Sequence, residues 1–320
     1  MKRTRTHAHD METSRFVFFG EPLCLILGTP QAQLERSSTA SLSIAGAESN
    51  VAIALARLGH HCRFHSAVGG DPYGERVLRT LRSENIDTES VLVVPGEVTG
   101  LISRNCYAWR EPDVFYHRNH SAFLAHSEAA ADRVNFAPGD IFFTTGITLA
   151  LGDGCRRATI RLIKKARKSG VPVCLDVNYR QKLWSEAAFR QTLRPLLPDI
   201  RTLFLGREEG KVLTQLSKPE TMARQLLKEG VQEVIIKDGA RGAWHFGAKI
   251  PPLHGKPFSL VHVVDPIGAG DAFNAGFLAA TISGKIARNV YKLAMPWALW
   301  LASTTGTGNP FLLSNTCSSI

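Results

Sequence analysis

Short apolar runs alternate along the chain with stretches whose apolar residues recur at helical spacing. Phe16-Val17-Phe18-Phe19 is the first run and stops at Gly20. A polar, irregular segment follows to about Ala45. Gly46-Ala47-Glu48-Ser49-Asn50 then leads into an amphipathic helix over 51–58, stopped by Gly59. Residues 62–68 read as a strand closed by Gly69-Gly70-Asp71, and 73–83 as a helix. Residues 101–109 and 114–117 read as a hairpin around 110–113. Strands predicted at 141–145, 171–177, 202–205, 234–237 and 260–264 then alternate with helices. Those helices span 157–168, start at Ser185, lie near Glu208, and span 220–229 and 272–280. This order predicts an α/β fold, a mostly parallel central sheet with helices on both faces. Ligands of such sheets bind at the carboxyl ends of the strands. The segments at about 21–45 and 97–120 read as a small β lid inserted over that edge. Residues 1–15 read as a disordered polar tail, and 16–320 as one domain carrying the lid.

Composition narrows the partners. The 320 residues are 44% hydrophobic and 21% charged, which is ordinary for a globular chain. The formal net charge of +10 brings nucleic acid, membrane surfaces and small anions into question. The densest basic group is Arg156, Arg157, Arg161, Lys164, Lys165, Arg167 and Lys168. It shares one helix with Ile160, Leu162, Ile163 and Ala166, so it reads as a solvated helix face. No nucleic-acid module is visible, and no apolar run reaches the length of a membrane span. The six cysteines form no Cys-x-x-Cys pair and no metal-ligand spacing. They read as reduced thiols, and the location as cytoplasmic.

Glycine and polar residues gather where the strands end. Gly20 closes the first strand, Gly69-Gly70-Asp71 another and Thr145-Gly146 a third. Asp176-Val177-Asn178-Tyr179-Arg180, Gly206-Arg207-Glu208-Glu209 and Lys237-Asp238-Gly239-Ala240-Arg241-Gly242 close later ones. The last is Asp265-Pro266-Ile267-Gly268-Ala269-Gly270-Asp271. Its strand-to-helix turn aims N–H groups and the positive end of a helix dipole at one point, which suits a phosphate. Asp271 is either a cap or a base that takes a proton from a hydroxyl. An anion cradle beside a base is what phosphoryl transfer to an alcohol requires.

The segments 46–59 and 265–273 resemble the N- and C-terminal signatures of the ribokinase-like (PfkB-type) carbohydrate kinases. The resemblance extends over roughly residues 16–300. Within that family the chain is most similar to 2-keto-3-deoxygluconate kinases. The residues that carry this are Phe19-Gly20-Glu21-Pro22-Leu23, Phe115-Tyr116-His117-Arg118 with Ser121-Ala122, Thr145-Gly146-Ile147-Thr148, and 176–184. The resemblance implies a ribokinase-like fold and a kinase, dependent on ATP and Mg2+, that phosphorylates the terminal hydroxyl of a sugar acid. It implies Asp271 as the base, and the N–H groups of Gly268, Ala269 and Gly270 as the anion hole. Gly46 and Asn50 would meet sugar hydroxyls. Tyr116 and Arg118 would come from the lid and Arg180 from a strand end, arginine being suited to the carboxylate. Asn178, Lys237, Gly239 and Gly242 would border ATP, and Glu209 would help place Mg2+ through water. Blander readings stand beside these. Asn50 also fits a helix cap, Arg180 an ion pair, Tyr116 and Arg118 an exposed strand face, and Lys237 a solvated strand end. The chain departs from the family at Ile102, where many of these kinases carry tyrosine, at His117 and at Gly206.

The alternatives are another sugar kinase, such as a fructokinase or ribokinase, and a non-catalytic sugar sensor. An intact Asp271 with its glycines speaks for catalysis. No Gly-x-Gly-x-x-Gly follows the first strand, against a dinucleotide-dependent oxidoreductase, and no Gly-Lys-Ser/Thr loop marks a P-loop kinase. The expected partner is a small-molecule sugar acid, with no nucleic acid or membrane, and the expected assembly is a homo-oligomer through the lid.

Overall fold

A computed structural model describes residues 15–28, 33–105, 113–248, 250–256 and 267–282. The elements run β1 (Arg15–Phe19), β2 (Leu23–Leu27), β3 (Ser41–Ala45), α1 (Ala47–Arg57), β4 (His61–His65), β5 (Ala67–Gly69), α2 (Pro72–Ser83), β6 (Ile86–Asp87), β7 (Leu92–Val94), β8 (Leu101–Arg104) and β9 (Val114–His117). They continue with α3 (Ala122–Asp132), β10 (Asp140–Thr145), α4 (Gly146–Ala150), α5 (Asp153–Lys168), β11 (Val173–Asp176), α6 (Glu186–Leu193), β12 (Thr202–Gly206), α7 (Arg207–Thr214), α8 (Pro219–Lys228), β13 (Glu233–Lys237), β14 (Ala243–Gly247), β15 (Ile250–Gly255) and α9 (Ala269–Ile282).

The main sheet has nine strands in the order β15-β14-β13-β12-β11-β10-β1-β4-β6. Every pairing from β13 to β6 is parallel, whereas β14 and β15 add an antiparallel edge. The expected α/β sheet is therefore present. Its strands read as continuous apolar runs because both faces are covered. Phe16 and Phe18 enter one core with Phe64, Phe143, Phe204 and α9's Phe277. Val17 and Phe19 point the other way, toward Phe123, Phe142, Leu175 and α5's Leu162. The chain builds outward from β1 to β4 and β6, then returns to β10 on the other side. The switch point of the sheet thus lies between the carboxyl ends of β1 and β10, where such sheets hold ligands.

A second sheet, in the order β3-β2-β8-β9, is made from the segments read as a lid. The stretch 21–45, read as irregular, contains β2 and β3. β3 is partly exposed and alternates Ser with Leu and Ile, which hid it, whereas β2 is a short apolar run, Leu23 to Leu27, set within polar surroundings. The run 62–68, read as one strand, breaks at Ser66. Beyond the break, Thr99 Oγ1 accepts from the Gly69 N–H at 3.0 Å and Asp71 Oδ2 from the Thr99 N–H at 2.7 Å, which draws β5 away to pair with β7. Arg15, read as tail, already belongs to β1. The strand expected at 260–264, with Asp265 and Pro266, lies outside the described residues. So do Cys106 and Cys317; the other cysteines are buried and free. The basic face of α5 pairs with acidic neighbours: Arg156 with Asp153 at 2.7 Å, Arg161 with Asp132 at 2.8 Å, and Arg157 with Glu128. That is a solvated, charge-matched helix. No helix among the described residues is long and apolar enough to cross a membrane.

Candidate active site

The turn into α9 is set by Gly268, whose φ of 83° favours glycine. The first-turn N–H groups of a helix such as α9 lack intrahelical partners. Asp271 lies in that first turn. Its Oδ2 accepts a hydrogen bond of 2.8 Å from Asn50 Nδ2 on α1. Asn50 is therefore not a cap; Gly46 occupies the N-cap position of α1. Burial pushes the Asp271 carboxyl up to about 7, and the charges of Asp176 and Glu48 add to this. Asn50 and Lys237 act in the opposite direction. A carboxylate balanced near neutrality is suited to general-base work.

Lys237 ends β13, and its ammonium turns into the protein. It bonds Asp176 Oδ1 at 3.1 Å, Asp176 Oδ2 at 3.0 Å and Asn274 Oδ1 at 3.3 Å. Asn274 Nδ2 donates to Asp176 Oδ2 at 2.8 Å, which closes the triangle. A Cβ placed on Gly270 would lie 3.5 Å from Lys237 Nζ, so the ammonium borders the glycine turn. Burial opposes the lysine's charge, but Asp176 and Glu209 outweigh it and hold the proton more tightly than usual.

Glu209, in the first turn of α7, gathers the neighbouring strand ends. Its Oε2 accepts from the Gly206 N–H at 2.6 Å and its Oε1 from the Tyr179 N–H at 3.0 Å. Burial raises its carboxyl and the charge of Asp176 raises it further, while Lys237, the Gly206 N–H and Arg180 counteract this. Asn178 is buried at the end of β11 with a left-handed φ of 39°. Arg180 is exposed, and its side chain has no hydrogen bond or ion pair among the described residues. Gly239 and Gly242 form the turn after β13, closed by a 2.8 Å bond from the Asp238 N–H to the Gly242 carbonyl. Asp176 and Glu209 supply hard oxygen donors, and each Glu209 oxygen keeps a lone pair beyond its N–H bond. That donor set fits a magnesium ion held through its own waters.

The switch point is filled by two buried carboxylates. Glu48 Oε1 accepts from the Thr145 N–H at 3.1 Å, Thr145 Oγ1 at 2.7 Å and Thr148 Oγ1 at 2.6 Å, tying α1 to the end of β10. Gly46 has φ 138°, and a Cβ there would meet the Glu21 carbonyl oxygen at 2.8 Å, so the close approach needs glycine. Glu21 reaches the small sheet, where its Oε2 pairs with Arg118 Nη2 at 2.5 Å. Arg118 also sits 5.6 Å from the centroid of the Tyr116 ring, which is 50% exposed. Strand register puts Tyr116, Ile102, Leu25 and Ser43 in one row across this sheet. Phe115, Ser103, Ile26 and Leu42 form the row on its other face.

Asp271, Asn50, Lys237 and the glycine turn thus converge, and Glu209 adjoins them through Asp176. Tyr116 and Arg118 form a separate pair linked to Gly46 by Glu21. Four further residues, Glu21, Glu48, Asp176 and Asn274, had no role from sequence. Two of them carry a signal: Glu48 precedes Val51, Ala52 and Leu55 on one helix face, and Asn274 precedes Phe277 and Leu278 on another.

A family model described as pfkB family carbohydrate kinase matches residues 18–314. A 2-dehydro-3-deoxygluconokinase of Bacillus subtilis is 34% identical over 271 residues, covering 84% of this chain and 83% of that protein. A 2-dehydro-3-deoxygalactonokinase of Haloferax volcanii is 30% identical over 279 residues, covering 85% of this chain and 86% of its own length. The crystal structure of a 2-dehydro-3-deoxygluconokinase from Thermotoga maritima superposes with a TM-score of 0.83 at 22% identity, over 93% of this chain and 95% of that one.

Proposed function

The chain belongs to the pfkB family of carbohydrate kinases, and on that premise we propose that it transfers a phosphoryl group from ATP to the terminal hydroxyl of 2-keto-3-deoxygluconate. The observation that carries the phosphoryl-transfer reading is Asp271. It is held by Asn50 beside the glycine turn, with its carboxyl near 7. In this reading Asp271 takes the hydroxyl proton as the oxygen bonds to the γ-phosphorus. The bond to the β-phosphate bridging oxygen breaks, and ADP leaves with that electron pair. The N–H groups of Gly268, Ala269 and Gly270, with the Lys237 ammonium behind them, face the negative charge of the transferring group. Gly239, Gly242 and Asn178 border the nucleotide. Magnesium, held through water near Glu209 and Asp176, supplies neutralisation of phosphate charge when bound.

The acceptor assignment rests on the small sheet acting as a lid, with Tyr116 and Arg118 toward the sugar acid and Arg180 approaching from β11. The relatives that phosphorylate 2-keto-3-deoxy sugar acids support it. The opposite row of the lid exposes Leu42 and Phe115, at 42% and 52%. We read that face as the surface on which two copies pair, and light scattering on the purified protein checks it. Four buried free thiols agree with a reducing, cytoplasmic setting.

ADP release with ATP and Mg2+ tests the acceptor. 2-Keto-3-deoxygluconate or its C4 epimer is expected to turn over, with ribose and fructose near background. Turnover of ribose or fructose with no response to either keto acid overturns the reading.

A further inference from the structure

Glu21 follows β1 at the switch point and is 4% exposed. Two glycines leave it room: a Cβ on Gly46 would meet its carbonyl oxygen at 2.8 Å, and one on Gly100 its Oε1 at 2.6 Å. Both carboxylate oxygens face the corner where β9 turns into α3. Ser121 Oγ donates to Oε1, and Arg118 Nη2 pairs with Oε2. Ser121 is also the N-cap of α3, so the corner itself is held in place. The Arg118 side chain is only 9% exposed, yet its Nε has no hydrogen-bond partner among the described residues. A buried guanidinium N–H without an acceptor is costly until an acceptor arrives.

We propose that Glu21 is a positioning residue for sugar-acid selection, holding the Arg118 guanidinium at the junction of lid and main sheet so that its unpartnered N–H meets the acceptor's carboxylate. The inference rests on the sugar-acid reading above. Both Glu21 oxygens are turned to Ser121 and Arg118 and the side chain is buried, so Glu21 acts through the arginine. Arg118 is the cation paired with this carboxylate, and it also lies within electrostatic reach of Glu48. Its positive charge is therefore largely matched already. It contributes direction, through a fork oriented by Glu21, and the exposed Arg180 contributes the net charge.

The test is a kinetic double-mutant cycle on the full chain with Glu21→Gln, Arg118→Lys and the pair. Glu21→Gln keeps the Ser121 contact and the side-chain shape. It is expected to raise KM for 2-keto-3-deoxygluconate about tenfold, with kcat and the KM for ATP nearly unchanged. That effect is expected to vanish in the Arg118→Lys background, and Glu21→Asp to restore part of it. Should Glu21→Gln fail to fold, Glu21→Asp against Arg118→Lys makes the same comparison. An unchanged KM for the sugar acid, equal changes for sugar acid and ATP, or additive effects in the cycle each overturn the proposal. Failure of the parent protein to turn over any keto acid is a different result, which overturns the substrate reading and this inference with it.

Discussion

The two sides of the crevice are built differently. On the phosphoryl side, Asp271, Asn50, Lys237, Asp176 and Asn274 form a closed set of charges and amides on α1, α9 and the ends of β11 and β13. On the lid side, a half-exposed Tyr116 stands on a short strand, and one buried ion pair, Glu21–Arg118, lies just beyond the strand ends. Helices and central strands position groups tightly, whereas a small partly exposed sheet leaves room for the acceptor to be chosen and enclosed. Rate should therefore be concentrated on the first side and selectivity on the second.

Single substitutions should separate rate from selectivity. Asp271→Asn should cost the most, lowering kcat by about 10²–10⁴ with little change in KM for either substrate. The same variant has a signature in stability. The folded pKa of Asp271 lies above its unfolded value of about 3.9, so its contribution to stability is fully present below that value and fades as pH rises to about 7. Thermal melting should then find Asp271→Asn as stable as the parent near pH ~4 and more stable near pH ~8. Next in size, Lys237→Met should lower kcat by about 10²–10³, the scale of losing one pre-placed donor to a developing anion. It also strips Asp176 of its cation, so a lower melting temperature should accompany the loss. Tyr116→Ala should raise KM for the sugar acid by about tenfold and leave the KM for ATP alone, as steady-state titration of each substrate would show. The smallest effect belongs to Asn50→Ala. It removes a donor that lowers the Asp271 pKa, so the acidic limb of kcat/KM should move to higher pH by about one unit. If Tyr116→Ala reduced kcat as much as Lys237→Met, the division between the two sides would not hold.

The phosphoryl side was the more readable in sequence, for a physical reason. Buried parallel strands must be continuous apolar runs, and the turns after them need glycine and polar residues, so Gly268 to Asp271 stands out against its neighbours. The lid side was harder. β3 buries too little to show an apolar pattern, and the partner of β2 on its other side, β8, comes from far along the chain. Glu21 is visible in sequence only as a member of a motif, and Glu48 as a polar residue on an apolar helix face. Their contacts come from Arg118, Ser121, Thr145 and Thr148, which the fold brings to them from about 100 residues away. Asn274 stands out as a polar residue in an apolar helix, but its partner Asp176 does not, and Lys237 reads equally as a solvated strand end until Asp176 is placed opposite it.

In the proposed reaction Asp271 is a base whose proton is poised near neutrality. The most direct measurement is kcat/KM for 2-keto-3-deoxygluconate as a function of pH in the parent enzyme. A rise through a single acidic limb centred at about 7 is expected, with the limb lost in Asp271→Asn. A profile already flat from about pH 5 upward, the range of an ordinary carboxylate, would contradict it.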